Sequence, residues 1–225
     1  MTKFKGIIFD FNGVLLLDQH LHDEIWSSYA EKITGRKPTE EEIKNFFHGR
    51  DNKGVLEYLY KKELGADEVD RHAREKELEY QQTARNLGSD YQLAPGAVEL
   101  LTKLQARGIP YTIATSSPRM NIGFFNEMLN LEKWFDMDKV VCTEGAMRGK
   151  PAPDLYLRAA QMLELEPADC VVVEDARSGI AAAFAAGIGH IIAIGSKDTH
   201  GTLRKMDGVS ETIERLDEVD VAGLF

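Results

Sequence analysis

Four short stretches carry the residues whose types could do chemistry together. The apolar run Gly6-Ile7-Ile8-Phe9 leads into Asp10-Phe11-Asn12-Gly13. A carboxylate that follows such a run emerges at the carboxyl edge of a strand, where open α/β sheets hold their ligands. Asn12 lies two residues on and points to the same side. Gly13 allows a tight turn and a close backbone approach. A second run ends in Ala114-Thr115-Ser116-Ser117-Pro118. Ser117 reads as a helix N-cap with Pro118 as the first helical residue, and hydroxyls beside such a terminus suit an anion. Lys150 supplies one cation in Gly149-Lys150-Pro151-Ala152-Pro153-Asp154, and Glu174-Asp175 is an acid pair after Val171-Val172-Val173. Each stretch alone has an ordinary reading as a cap, a solvated lysine or a loop charge pair. Their order, each at a strand end, is what distinguishes them.

The elements that must position these residues follow from periodicity. Gly6–Phe9, Tyr111–Ala114 and Val171–Val173 read as buried parallel strands, and 139–142 and 190–194 as weaker ones. Helical patterns over 95–107, 153–163 and 176–186 alternate with them, two of the three closed by Gly108 and Gly187. The region 18–87 differs: polar, free of strands, with a helical face at Leu21, Ile25, Tyr29 and Ile33 and a capping-box pattern at Thr39 and Glu42. A further helix is marked by Val55, Leu56, Leu59 and Leu64, and a long charged one runs from Asp67 to Asn86. The expected architecture is α/β: a three-layer Rossmann-like parallel sheet core over 1–17 and 88–225, with an inserted all-helical cap domain of four helices over 18–87.

Composition narrows the partners. The chain has 225 residues, and 27 basic against 37 acidic side chains give a formal charge of −10. Such a surface repels nucleic acid, while a local basic pocket for a small anion remains compatible with it. Cys142 and Cys170 sit in apolar runs without metal-ligand spacing, and read as buried thiols. With no secretory apolar segment and no membrane-length run, a cytoplasmic, monomeric protein with no membrane partner is expected.

The four stretches, in this order, resemble the haloacid dehalogenase superfamily, within it the β-phosphoglucomutase-like and small-phosphatase branch. The resemblance covers nearly the whole chain, including the place of the helical insertion. It implies a Mg²⁺-dependent phosphatase acting on a small phosphorylated metabolite through an aspartyl-phosphate. Asp10 would be the nucleophile. Asp10, the Asn12 carbonyl and Asp175 would ligate Mg²⁺, with Glu174 acting through water. Thr115 would donate to the phosphoryl group, with Gly13, Ser116 and Ser117 around it, and Lys150 would neutralise Asp10 and the phosphate. The resemblance also implies a cis Lys150–Pro151 peptide. From the cap, His22 and Trp26 fall at family positions near the site, and Arg50, in His48-Gly49-Arg50, would grip substrate. Arg119 could add positive field at the anion site.

Position 12 departs from the family, which has there an Asp that protonates the leaving oxygen. Asn cannot be a general acid or base, a role typically worth ~10²–10⁴-fold. Several consequences stay open: a phosphatase weakened for poor leaving groups, with His22 lending a proton; a C–P or C–halogen hydrolase, with Lys53 as the candidate Schiff-base lysine; a phosphate-binding regulator without turnover; or a sugar-phosphate mutase. The substitution Asn12→Asp is expected to speed sugar-phosphate turnover.

Overall fold

The computed structural model describes residues 4–145 and 147–225, so residues 1–3 of the first core segment lie outside it. Six strands form one parallel sheet in the order β3-β2-β1-β4-β5-β6. They are β1 Gly6–Phe9, β2 Tyr111–Pro118, β3 Val141–Thr143, β4 Cys170–Glu174, β5 His190–Ile194 and β6 Val209–Ile213. The period of two along each strand divides the core. Ile7, Phe9, Val171, Val173, Ile192 and Ile194 pack on one face. Ile8, Val172, Ile191 and Ala193 pack on the other. Both faces are apolar, so both must be covered, as a parallel sheet requires. Helices α5 (Ala97–Ala106) and α6 (Arg119–Leu129) cover the first face; α7 (Asp154–Met162), α8 (Arg177–Ala185) and α9 (Lys197–Leu203) cover the second. A short α10 (Val221–Leu224) ends the chain. This is a three-layer α/β fold.

Between β1 and α5 the chain is helical. It runs through α1 (Gln19–Thr34), α2 (Glu40–Glu42, continuing as a π-turn over Ile43–Phe47), α3 (Asn52–Tyr60) and α4 (Ala66–Asn86). The capping box starts α2: the Glu42 amide donates to Thr39 Oγ1 at 3.2 Å, and the Thr39 amide donates to Glu42 Oε2 at 2.8 Å. Trp26, Tyr29, Phe47, Val55, Leu56 and Leu59 form a third apolar cluster, separate from the two sheet faces. Leu21 and Ile25 of α1 and Tyr80 and Ala84 of α4 instead join the sheet-face core. These helices are therefore anchored by the ends nearest the sheet and have their own core farther out. No described helix is long and apolar enough to cross a membrane.

Two local expectations are corrected, and one strand had no counterpart in the sequence reading. Ser117 is not an N-cap: β2 continues through it to Pro118, and Pro118, extended at φ −73° and ψ 160°, caps α6, which starts at Arg119. The Ser117 hydroxyl is used elsewhere, as described below. The strand expected over 139–142 begins only at Val141, because Met137–Lys139 closes a 3₁₀ turn first. Strand β6 went unread, since its burial is partial and its sequence Val-Ser-Glu-Thr-Ile has few apolar residues.

Gly179, in the first turn of α8, shows how tightly the second face is fitted. A Cβ there would collide with the Glu174 carboxylate. Glu174 cannot retreat, because both its oxygens are engaged. In an ordinary helix Gly→Ala stabilises by up to about 1 kcal/mol. Here Gly179→Ala is expected to lower stability by roughly 1–3 kcal/mol through overpacking. Urea unfolding checks the sign, and a stabilised variant would refute the fit.

Candidate active site

The chemistry-bearing stretches meet at the carboxyl edge of the sheet's central strands. Asp10 leaves β1 with its amide still donating to the Val173 carbonyl at 3.0 Å, so the neighbouring strand fixes its position. Lys150 is fully enclosed. Its Nζ donates to Asp10 Oδ1 at 2.6 Å, to Glu174 Oε1 at 2.6 Å and to the Ala114 carbonyl at 3.3 Å. The Lys150–Pro151 peptide is cis. Glu174 is tied further by the Tyr156 hydroxyl, which donates to Oε1 at 2.8 Å, and by the Ala176 amide, which donates to Oε2 at 2.9 Å. Glu174 thus serves as the inner wall that holds Lys150.

Asp10, Glu174 and Asp175 each offer a carboxylate oxygen, and these atoms lie within 4.8 Å of one another. Gly13, at φ 88°, brings the turn after β1 so close that a Cβ would strike Asp175. The Asn12 carbonyl accepts no backbone hydrogen bond among the described residues. Three clustered carboxylate oxygens form an all-oxygen donor set that suits a hard divalent cation.

The electrostatics follow from burial. Asp10 is raised to about 7, chiefly by burial and further by Glu174, against the pull of Lys150. Burial also lifts Asp175 well above the ordinary carboxylate value, with Glu174 and Asp10 adding to the effect. For Lys150, burial disfavours the charge, but Asp10 and Glu174 outweigh it and keep the ammonium protonated. One ammonium faces three carboxylates, so the site calls for further positive charge.

In front of Asp10 lies a small cavity of about 60 Å³. Asn12, Thr115, Ser116 and Ser117 line its floor; His22, Trp26, Arg50, Lys76 and Glu77 belong to its roof. The roof is joined to the floor by the Ser116 hydroxyl, which donates to the Gly49 carbonyl at 2.7 Å. Thr115 is buried, and its Oγ1 accepts the Ser117 amide at 3.1 Å. The Arg50 Nε is buried without a hydrogen-bond partner.

Asn12 is held at both ends of its amide. The Ser117 hydroxyl donates to its Oδ1 at 2.8 Å, and its Nδ2 donates to Asp18 Oδ2 at 2.7 Å. Asp18 is buried and also accepts from the Tyr80 hydroxyl. Burial alone would raise it, but His22, Tyr80 and Asn12 together hold it below the ordinary carboxylate value. His22 stacks on Tyr80 with ring centroids 4.4 Å apart. Its Nδ1 accepts from Lys76 Nζ at 3.1 Å, and its Nε2 lies 3.3 Å from Asp18 Oδ2.

Two residues expected at the site are elsewhere. Lys53 is more than half exposed and pairs with Glu57 at 3.0 Å, one helical turn away on α3, outside the cavity. Arg119 is also exposed and pairs with Glu144, its Nε 3.2 Å from Oε2. Partners outside the cavity hold both away, Glu57 on the same helix as Lys53 and Glu144 just after β3. Conversely, Asp18, Lys76, Glu77 and Tyr156 gave no sign in the sequence. The available signal was a spacing of four: His72, Lys76, Tyr80 and Ala84 are buried along one face of α4. That face is mostly polar, so hydropathy conceals it.

Comparison with known proteins agrees with this geometry. A family model for haloacid dehalogenase-like hydrolases matches residues 4–187. Hexitol phosphatase A of Escherichia coli is 33% identical over 95% of this chain and 94% of that protein. β-Phosphoglucomutase of Bacillus subtilis is 30% identical over 82% of this chain and 80% of that protein. The crystal structure of a family IA, variant 3 hydrolase from Entamoeba histolytica superposes with a TM-score of 0.85 at 36% identity, covering 98% of this chain and 97% of that one. The chain belongs to the haloacid dehalogenase-like hydrolase family and is a phosphohydrolase of that family.

Proposed function

We propose that the chain is a Mg²⁺-dependent phosphatase of small sugar or polyol phosphate monoesters, with Asp10 as the nucleophile. The observation that carries this reading is the buried Asp10 carboxylate, held at 2.6 Å by Lys150 and lining a cavity bordered by Thr115, Ser116 and Ser117. The similarity to hexitol phosphatase A supports the substrate class. Asp10, the Asn12 carbonyl and Asp175 would hold Mg²⁺, which when bound shields the charge between carboxylate and phosphate. Lys150 orients Asp10, and Thr115 with the neighbouring hydroxyls binds phosphoryl oxygens. Asp10 attacks phosphorus, the P–O bond to the alcohol breaks and the departing alkoxide takes a proton from water; water then cleaves the aspartyl-phosphate and frees Asp10 and phosphate. The cavity has room for roughly five waters, less than a sugar phosphate needs. Residues 18–87 therefore act as a cap that opens for entry, hinged near 15–18 and 87–89.

The carboxylate nucleophile gives the direct test. In a phosphate-release screen over sorbitol, mannitol and hexose monophosphates, wild type with Mg²⁺ should be active. Asp10→Asn should lose at least about 10³-fold in kcat/KM. Retained activity in Asp10→Asn would overturn the assignment.

The acid cluster links stability to pH. Between the ordinary carboxylate value near 4 and about 7, the folded chain keeps a proton on Asp10 that the unfolded chain has lost. Without Mg²⁺, this contribution is therefore complete at acid pH and is lost as pH rises through about 7. A cation that binds the ionised cluster reverses the loss. Millimolar Mg²⁺ should raise Tm more at about pH 8 than at about pH 5. Asp175→Ala should abolish that difference, and an equal Mg²⁺ effect at both pH values would count against the site.

The clamp on Asn12 modifies what restoring an acid would do. Asn12→Asp alone sets a carboxylate where the amide now donates to Asp18 at 2.7 Å, so two like charges meet. The gain in sugar-phosphate turnover should therefore be small. Asn12→Asp with Asp18→Asn restores a donor–acceptor pair and should raise that turnover by roughly 10–10⁴-fold, with little change for p-nitrophenyl phosphate. If the single variant matches the double one, Asp18 does not constrain position 12.

A further inference from the structure

The roof of the cavity carries two cations, Arg50 and Lys76, and two acids, Asp23 and Glu77. Their pairing decides what can lie there. Lys76 and Glu77 are both enclosed, each with 2% side-chain exposure, and Lys76 Nζ lies 3.1 Å from Glu77 Oε1. Lys76 also stands 5.2 Å from the centroid of the Trp26 ring and donates to His22 at 3.1 Å. Its charge is spent inside the roof. Glu77 accepts from Asn52 at 2.8 Å and, across the boundary to α6, from Asn121 at 2.7 Å. Burial alone would raise Glu77, but Lys76, His22 and these amides outweigh it, so it stays ionised. Asp23 Oδ1 lies 2.8 Å from His48 Nε2 and accepts from Gln19 at 3.1 Å. Among the described residues no carboxylate pairs with Arg50, whose Nε is buried and unpartnered. The roof thus offers one guanidinium without a salt bridge, beside a Glu77 already matched by Lys76 and a partly exposed Asp23 held by His48.

A second phosphate in the roof would bring up to two negative charges to a space where Lys76 is already matched by Glu77 and only Arg50 lacks a carboxylate salt bridge among the described residues. One guanidinium does not offset that. A neutral, hydroxylated tail meets no such penalty: Arg50, Asn52 and Gln19 can donate to its oxygens, and the carboxylates can accept from its hydroxyls. We propose that Glu77, by neutralising Lys76, sets the specificity of the site for monophosphates with a polyhydroxylated tail and against bisphosphates. This rests on the phosphatase reading above and adds to it the charge of the substrate's far end. It also sets the chain against mutase chemistry, which passes through a bisphosphate that must be bound at both ends.

Calorimetry on full-length protein with Mg²⁺ tests this, in an Asp10→Asn background that keeps ligands intact. The probes are sorbitol monophosphate and the corresponding sorbitol bisphosphate. The monophosphate should bind at least about tenfold tighter. Adding Glu77→Gln should shift the ratio toward the bisphosphate by roughly 10–100-fold, because Lys76 is then uncompensated. Asp23→Asn, on a more exposed side chain, should shift it the same way by less. A preference for the bisphosphate in the unmodified roof would overturn the proposal, as would an unchanged ratio in both variants. If neither probe binds and wild type releases no phosphate from any monoester, the phosphatase reading itself fails. If wild type hydrolyses monoesters while the bisphosphate binds equally well, only the role of Glu77 fails.

Discussion

One buried ammonium organises this molecule. Lys150 stands between Asp10 and Glu174 at 2.6 Å from each, with the Ala114 carbonyl as its third acceptor. Those partners come from the ends of β1 and β4 and from the middle of β2, three adjacent strands of the sheet. A charged group enclosed to this degree is tolerable only when its hydrogen bonds are complete. The strand ends must therefore stay in register, and the loop before α7 must deliver Lys150 to one point. The Tyr156 hydroxyl, the Ala176 amide and the bare Cα of Gly179 serve the same end by fixing Glu174 from behind.

The arrangement leaves a charge deficit that is itself functional. Three carboxylates face one ammonium, so Asp10 and Asp175 hold protons far more readily than free acids do. A divalent cation held by the cluster, as proposed, would relieve that crowding and leave Asp10 ionised. The same crowding explains why a neutral residue is comfortable at position 12. Asn12 is enclosed by a donor, Ser117, and an acceptor, the ionised Asp18, and an amide satisfies both where a carboxylate satisfies only one.

Above the floor, the helical segment has a divided character. Its outer part has an ordinary apolar core around Trp26, Phe47 and Leu56. Its inner part, along α4, buries His72, Lys76, Glu77 and Tyr80. Buried polar groups must be paired, so this face is specified by partners on α1, α3 and α6 and not by hydropathy. Asn121 of α6 is the link: it donates to Glu77 and accepts from Gln81, joining roof to core at a point next to the cavity. Shape and charge of the roof are thus tied to the packing of α4 on α6.

Features that depend on short stretches of chain were legible in the sequence. An apolar run of a few residues followed by Asp10, Thr115 or Glu174 makes a buried strand with a polar residue at its edge, because strand geometry sets the side chain's direction within two residues. Gly13 pointed to a close turn, which meets Asp175, and the three strand-edge motifs together with the Lys150 loop were enough to indicate the family. The tertiary structure alone decided where long helices turn their polar residues. Lys53 and Lys76 look alike in sequence, yet one pairs with Glu57 in solvent and the other is sealed against Glu77 and Trp26. Arg119, next to the anion-binding stretch in sequence, turns outward to Glu144, while Arg50, far from it in sequence, reaches the cavity. The tie between Asn12 and Asp18 was equally invisible, since a turn and a helix start bring them together. The reason is physical: apolar burial leaves a periodic trace in composition, whereas a buried charge is stabilised by partners that only the completed packing brings within reach.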